Sequence, residues 1–175
     1  MVARVLVTGG VRSGKSRHAE SLLHDAGAVT YVAPGPARDD ADWAARVAAH
    51  RARRPLGWDT EETRNVAGVL REVPTAVMVD CLGTWLTAVV DEAGLWEAPV
   101  DDVERLVGER LDDLVAALDQ RTALTVLVTN EVGLGVVPEH RSGRLFRDLL
   151  GTVNQRVGAM CDEVHLVVAG RVLRL

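Results

Sequence analysis

Eight residues near the start of the chain have the types and spacing to hold a triphosphate: Gly9-Gly10-Val11-Arg12-Ser13-Gly14-Lys15-Ser16. They satisfy G-x-x-x-x-G-K-[ST] in full, with Gly9, Gly14, Lys15 and Ser16 in the defining places. The glycines let the backbone close on a phosphate, because no Cβ blocks the approach. Amides at the start of the helix that follows point at the anion, and the helix dipole favours negative charge there. Lys15 is placed to reach the β- and γ-phosphates, and Ser16 to ligate Mg2+. A second candidate is Asp80, which ends the apolar run Ala76-Val77-Met78-Val79. A buried strand that delivers an aspartate beside a phosphate loop can hold the same metal. A third is the basic run His50-Arg51-Ala52-Arg53-Arg54-Pro55. Such a run is ordinarily a solvated helix end, and a lone histidine is ordinarily structural. Beside a nucleotide loop, three arginines and a histidine could instead clamp phosphates. Asn130 and Glu131 follow an apolar run at 124–129 and fall where ligands bind in parallel sheets.

These residues need a scaffold that brings strand ends together. The β-branched run at 2–8 predicts a first strand, and 17–26 predicts a helix with Ala19, Leu22 and Leu23 inward. His18 and His24 read as ordinary surface or edge residues. A second strand at 29–33 ends in Pro34-Gly35-Pro36, a turn expected at the same sheet edge as the phosphate loop. Helices are expected at 41–52, at 60–71 with Thr60 as N-cap, at 82–90 and at 101–118. Pro138 is expected to start a long helix whose stripe is Phe146, Leu149, Leu150, Val153, Val157 and Met160. The arginines at 141, 144, 147 and 156 decorate its other faces and are candidates to meet a second subunit. Residues 163–169 form the last main strand, Gly170 turns the chain, and 171–175 return as an antiparallel edge. The alternation predicts an α/β fold of the P-loop NTPase kind: a mostly parallel sheet with helices on both faces and an antiparallel C-terminal edge strand. We expect one domain over residues 1–175, a length that suits one core and not two.

Composition narrows the function classes. Hydrophobic residues make up 47%, which is globular. The net charge of −5 argues against a general nucleic-acid binder. Two cysteines, Cys81 and Cys161, make neither a metal cluster nor a disulfide framework and suggest reduced thiols in the cytoplasm. No signal peptide precedes the first strand, and no apolar run approaches a membrane span. A GTPase switch protein should carry Asn-Lys-x-Asp after a strand, but Asn130 is followed by Glu131. The residues alone therefore reach a small P-loop phosphotransferase and stop before its acceptor. A nucleotide-dependent interaction protein is the remaining alternative from another class.

Four motifs in order resemble the bifunctional adenosylcobinamide kinase/adenosylcobinamide-phosphate guanylyltransferases, over nearly the whole chain. They are Thr8 to Arg17; Arg46-Val47-Ala48-Ala49-His50-Arg51 with Arg54-Pro55, Trp58, Thr60 and Glu62; Asp80-Cys81-Leu82 with Trp85-Leu86; and the run from Thr129 to Glu139 with Arg141, Phe146-Arg147-Asp148 and Val153-Asn154-Gln155-Arg156. The resemblance implies two reactions in cobalamin assembly. A nucleoside triphosphate, ATP or GTP, phosphorylates the aminopropanol hydroxyl of adenosylcobinamide. GTP then donates GMP to adenosylcobinamide phosphate through a guanylylated histidine, which the match places at His50. It further implies nucleotide contacts from residues 9–16, from Ala33, Pro34 and Gly35, from Arg51, Ala52, Arg53 and Arg54, from Glu62 and from Asp80, with Mg2+ on Ser16 and Asp80. Glu62 would read guanine. Family members form trimers, so a homo-oligomer is expected. Two departures stand out: Ala33-Pro34-Gly35 replaces a turn that usually carries a hydroxyl, and Ala49 stands where some members have a second histidine. A monofunctional P-loop small-molecule kinase, with His50 structural, is the alternative within enzymes.

Overall fold

A computed structural model describes residues 3–35 and 57–175. The described chain builds seven strands, β1 Arg4–Gly9, β2 Val29–Val32, β3 Trp58–Glu61, β4 Ala76–Asp80, β5 Thr125–Val128, β6 Glu163–Val168 and β7 Arg171–Arg174. Five helices join them: α1 Lys15–Leu22, α2 Val66–Glu72, α3 Leu82–Ala93, α4 Val100–Asp119 and α5 Arg141–Gly158. The strands lie in one sheet in the order β3-β2-β4-β5-β1-β6-β7. Every pairing is parallel except β6 with β7, so the expected mostly parallel sheet with an antiparallel edge is what the chain forms.

Strand periodicity divides the core in two. Val5, Val7, Tyr31, Met78, Val126 and Val128 pack on one face against Ala19 of α1 and Leu23 at its C-cap. Leu6, Val32, Val77, Val79 and Leu127 pack on the other against α2 to α5. The central strands are apolar on both sides, as a parallel sheet covered by helices requires. On the helical face, Val103, Val107, Leu111, Leu114 and Leu118 of α4 recur at helical spacing and are all buried.

A buried arginine ties that face together. Arg121 is 8% exposed. Its guanidinium donates to Thr125 Oγ1 at 2.8 Å, Leu70 O at 2.6 Å, Val73 O at 2.8 Å and Thr75 O at 2.5 Å. It thereby satisfies carbonyls at the end of α2 and in the approach to β4, which the helix itself cannot pair.

Three expectations are corrected. Residues 58–61 form an exposed edge strand paired with β2, not the start of a helix, so Thr60 is a strand residue. The helix begins after Asn65, whose Oδ1 accepts from Gly68 N–H at 3.0 Å as its cap. The last long helix begins at Arg141, with His140 at its N-cap, so Pro138 lies in the preceding loop. His18 is not a plain surface residue, because its Nε2 lies 2.8 Å from Nδ1 of His165, which is 1% exposed. The helix expected at 41–52 lies outside the described residues.

Candidate nucleotide site

The C-terminal ends of β4, β5 and β1 meet where the sheet order turns back on itself, which is where open α/β sheets bind ligands. The phosphate loop leaves β1 there. Gly9 has no room for a side chain: a Cβ would stand 2.4 Å from Val167 O and 2.8 Å from Ser13 Oγ. Gly14, at the N-cap of α1, takes φ 96°, and Arg12 also takes a positive φ of 56°. Such backbone is held only where the surroundings impose it. Ser13 N–H donates to Gly10 O at 3.3 Å and closes the turn. Gly170 N–H, from the β6–β7 turn, donates to Ser13 O at 2.8 Å and braces the loop from outside. Glu131 N–H donates to Gly9 O at 3.2 Å and ties the loop to the end of β5.

Within this frame Lys15 is 8% exposed and its Nζ donates to Gly10 O at 3.1 Å. The ammonium therefore lies across the mouth of the turn, where a triphosphate would place its β- and γ-oxygens. No side chain caps α1. Its first amides have no partner within the helix, which leaves them for an anion. Ser13 Oγ and Thr8 Oγ1 are buried without a hydrogen-bond partner among the described residues. Orphaned donors at such a loop fit a bound phosphate better than an empty one.

Asp80 stands at the end of β4, two strand spacings or about 10 Å from β1. Tyr31 O–H, buried on β2, donates to its Oδ2 at 3.1 Å and fixes the carboxylate. Among the described residues, no three His, Cys, Asp or Glu side chains group to hold a metal on their own. Mg2+ needs only one or two protein oxygens and completes its shell with water and substrate phosphates. Ser16, on the first turn of α1, and Asp80 are the residues that would supply them. Beside them burial, and then the Asp80 charge, push the Cys81 thiol up, against the opposing pull of Thr84 and Lys15. Cys81 is thus a neutral packing group. It caps α3 with Thr84, and Asn130 Nδ2 lies 3.8 Å from its sulfur. Asn130 is held in turn by Asn154, whose Nδ2 donates to Asn130 O at 3.0 Å and whose Oδ1 accepts from Thr129 Oγ1 at 2.6 Å.

The structure brings Gly9 to Ser16, Asp80, Asn130 and Glu131 to one edge. Along the same edge but further out it places Ala33, Pro34, Gly35 and Glu62. Ala33 N–H donates to Glu61 O at 2.9 Å, which sets Ala33, Pro34 and Gly35 beside the segment carrying Glu62. Glu62 is exposed. From β3 to β1 is four strand spacings, about 19 Å. His50, Arg51, Ala52, Arg53 and Arg54 lie outside the described residues. Sequence reasoning gave Tyr31 no part, and it named Thr129, Asn130 and Asn154 only as motif residues, with no bond between them. A cavity of about 470 Å³ lies apart from this edge, between α2, α3 and α4, with Trp85, Val89 and Leu114 in its wall.

A phosphate loop opening the first helix of a parallel sheet, with an aspartate two strands away, defines a fold of the P-loop NTPase class. Solved structures agree on the fold. An ATPase from the type III secretion system of pathogenic bacteria superposes with a TM-score of 0.59 at 12% identity, over 94% of this chain and 50% of that one. The type III secretion ATPase EscN of enteropathogenic E. coli gives 0.57 at 12% identity, over 96% of this chain and 43% of that one. This chain thus spans half or less of those ATPases. Sequence is more specific. The model of the family described as cobinamide kinase / cobinamide phosphate guanyltransferase matches residues 5–175, and the chain belongs to that family. It is 42% identical to the bifunctional adenosylcobalamin biosynthesis protein CobU of Salmonella typhimurium over 174 residues, covering 95% of this chain and 96% of that protein. It is 41% identical to the protein of that name from Escherichia coli, over the same shares. The bifunctional adenosylcobalamin biosynthesis protein CobP of Pseudomonas aeruginosa is 41% identical over 172 residues, covering 95% and 94%.

Proposed function

We propose that this protein phosphorylates the aminopropanol hydroxyl of adenosylcobinamide and then transfers GMP from GTP to the resulting phosphate. The observation that carries the reading is the reach of the family match: it runs from residue 5 to residue 175, through a phosphate loop already folded around Lys15. In the first step the acceptor oxygen bonds to the γ-phosphorus as the bond to the β–γ bridging oxygen breaks. The hydroxyl proton passes to solvent and the nucleoside diphosphate departs. Lys15 and the first amides of α1 hold the triphosphate and neutralise charge that builds on it. Mg2+, held by Ser16 and Asp80, would supply further positive charge at the phosphate oxygens when bound.

In the second step a neutral imidazole nitrogen of His50 bonds to the α-phosphorus of GTP and pyrophosphate leaves. An oxygen of adenosylcobinamide phosphate then displaces the histidine, giving adenosylcobinamide-GDP and free imidazole. The covalent intermediate splits one difficult displacement into two. Arg51, Arg53 and Arg54 offset phosphate charge, and Glu62 accepts from guanine N1–H and N2–H. We place the protein in the cytoplasm and expect a homotrimer.

The test compares GTP labelled at the α- or the γ-phosphate. Each is incubated with protein and Mg2+, denatured in alkali and scored for protein-bound counts. We expect acid-labile, alkali-stable label from the α-position only, absent from His50→Ala. No label from either position overturns the guanylyl transfer and leaves a kinase alone. Phosphorylation of adenosylcobinamide that persists in His50→Ala separates the two steps; equal loss of both in a folded variant refutes that division.

A further inference from the structure

The segment that leaves β5 beside the phosphate loop holds large apolar side chains out in solvent. Leu134 is 87% exposed, Val136 94% and Val137 61%, while Val11 on the phosphate loop is 75% exposed. None of them joins either core cluster. The two segments leave neighbouring strands, β5 and β1, at the same end. Their exposure is not slackness. Glu131 N–H donates to Gly9 O at 3.2 Å, and Glu131 Oε1 accepts from Gly133 N–H at 2.9 Å. Arg147 donates to Gly133 O at 2.8 Å. At the far end Arg144 donates to Pro138 O at 3.1 Å and to Glu139 O. The backbone is pinned at both ends, and among the described residues the aliphatic groups between the pins join no core cluster. Gly135, between Leu134 and Val136, has open space where a Cβ would be.

A pinned apolar ledge at the rim of a phosphate cradle suits an acceptor too large to enter it. The acceptor proposed above is of that kind: a wide macrocycle with methyl-bearing faces and an amide rim, whose reacting hydroxyl sits on a short arm. The arm can reach a γ-phosphate only if the ring rests beside the cradle. We propose that Leu134, Val136 and Val137, with Val11 on the loop that leaves the neighbouring strand, form the shelf on which the corrin ring of the acceptor lies. Exposed backbone around Gly135 faces the amide rim. This rests on the kinase reading, and it assigns corrinoid recognition to Leu134, Val136 and Val137, which carry none of the phosphate chemistry.

The test uses the full chain and two acceptors, adenosylcobinamide and N-acetyl-1-amino-2-propanol, which keeps the arm without the ring. Failure of the wild-type protein to phosphorylate adenosylcobinamide at all refutes the kinase reading itself. Given that activity, the double variant Leu134→Ser/Val136→Ser should raise KM for adenosylcobinamide about 10- to 100-fold, the scale of two aliphatic side chains losing a buried contact. KM for the nucleotide should hold, and the slow rate on the truncated acceptor should equal that of wild type. Leu134→Met/Val136→Ile should restore the corrinoid KM. An unchanged corrinoid KM overturns the proposal. A changed molar mass by light scattering, with or without a change in KM, also overturns it and assigns the face to a second copy of the chain.

Discussion

Replacing Gly9 by alanine tests whether the phosphate cradle is set by a close backbone approach. The added Cβ would stand 2.4 Å from Val167 O and 2.8 Å from Ser13 Oγ. The hydroxyl of Ser13 can turn aside, but the carbonyl belongs to β6, which is registered against β1 from Glu163 to Val167. An ordinary carbon–oxygen contact is about 3.3–3.6 Å, so one backbone must shift by about 1 Å. Gly9 also receives the Glu131 amide, so the shift moves the start of the cradle relative to β5. A misplacement of about 1 Å costs on the order of 100-fold in rate when positioning carries the chemistry. We expect Gly9→Ala to lower phosphoryl transfer to adenosylcobinamide about 100-fold, with weaker nucleotide binding by equilibrium dialysis and a stability loss of about 2 kcal/mol. Gly151→Ala, on the exposed side of α5 with open space around it, is the control. It should keep the rate and gain roughly 0.5–1 kcal/mol in urea unfolding. A Gly9→Ala rate within about threefold of wild type would show that β6 yields freely and would defeat the argument.

Arg121→Met should destabilise the fold by about 3 kcal/mol in urea unfolding, because three carbonyls lose a charged donor and methionine returns only packing. A loss below about 1 kcal/mol would mean that the cost of burying the guanidinium cancels its bonds. The His18 ring is held below its ordinary value of 6.5 by burial, then by His165 and Arg174. Glu163 completes the group, with its Oε2 at 2.6 Å from His165 Nε2. The unfolded chain then takes up more protons at His18 than the folded one as pH falls through about 6.5, so stability should drop on acidification. His18→Gln should flatten the dependence of the urea midpoint between about pH 7.5 and 5; parallel profiles for the two proteins would reject this.

Where local chemistry dictates local form, the chain can be read directly. The phosphate loop is legible because its glycines and lysine are needed in fixed order. The central strands are legible because burial on both faces leaves unbroken apolar runs such as Val77-Met78-Val79. β3 is not: Trp58-Asp59-Thr60-Glu61 lies at an edge, largely exposed, and carries neither alternation nor an apolar run. Its strand form comes from pairing with β2, a partner 29 residues earlier in the register. Pro138 misleads in the other direction, since its fixed φ suits a first helical turn as well as the loop it occupies. The staple at Arg121 and the contact of His18 with His165 join residues far apart in sequence, and no spacing rule announces either. At the site, Lys15 and Asp80 are legible from motif and strand end, whereas Tyr31, which holds Asp80, is visible only once β2 and β4 are neighbours.

The position of β1 in the sheet sets the order in which this protein can become competent. β1 lies between β5 and β6, whose first residues follow its own first residue by more than 115 positions. A ribosome therefore releases the phosphate loop long before either flanking strand exists. Gly9 gains its Glu131 donor only after β5, and Ser13 gains its Gly170 donor only at the β6–β7 turn. Until then the loop is a glycine-rich stretch with no walls. We therefore expect nucleotide capture to come late in synthesis. A nascent chain arrested before residue 170 should fail to retain a triphosphate, however well its helices have formed.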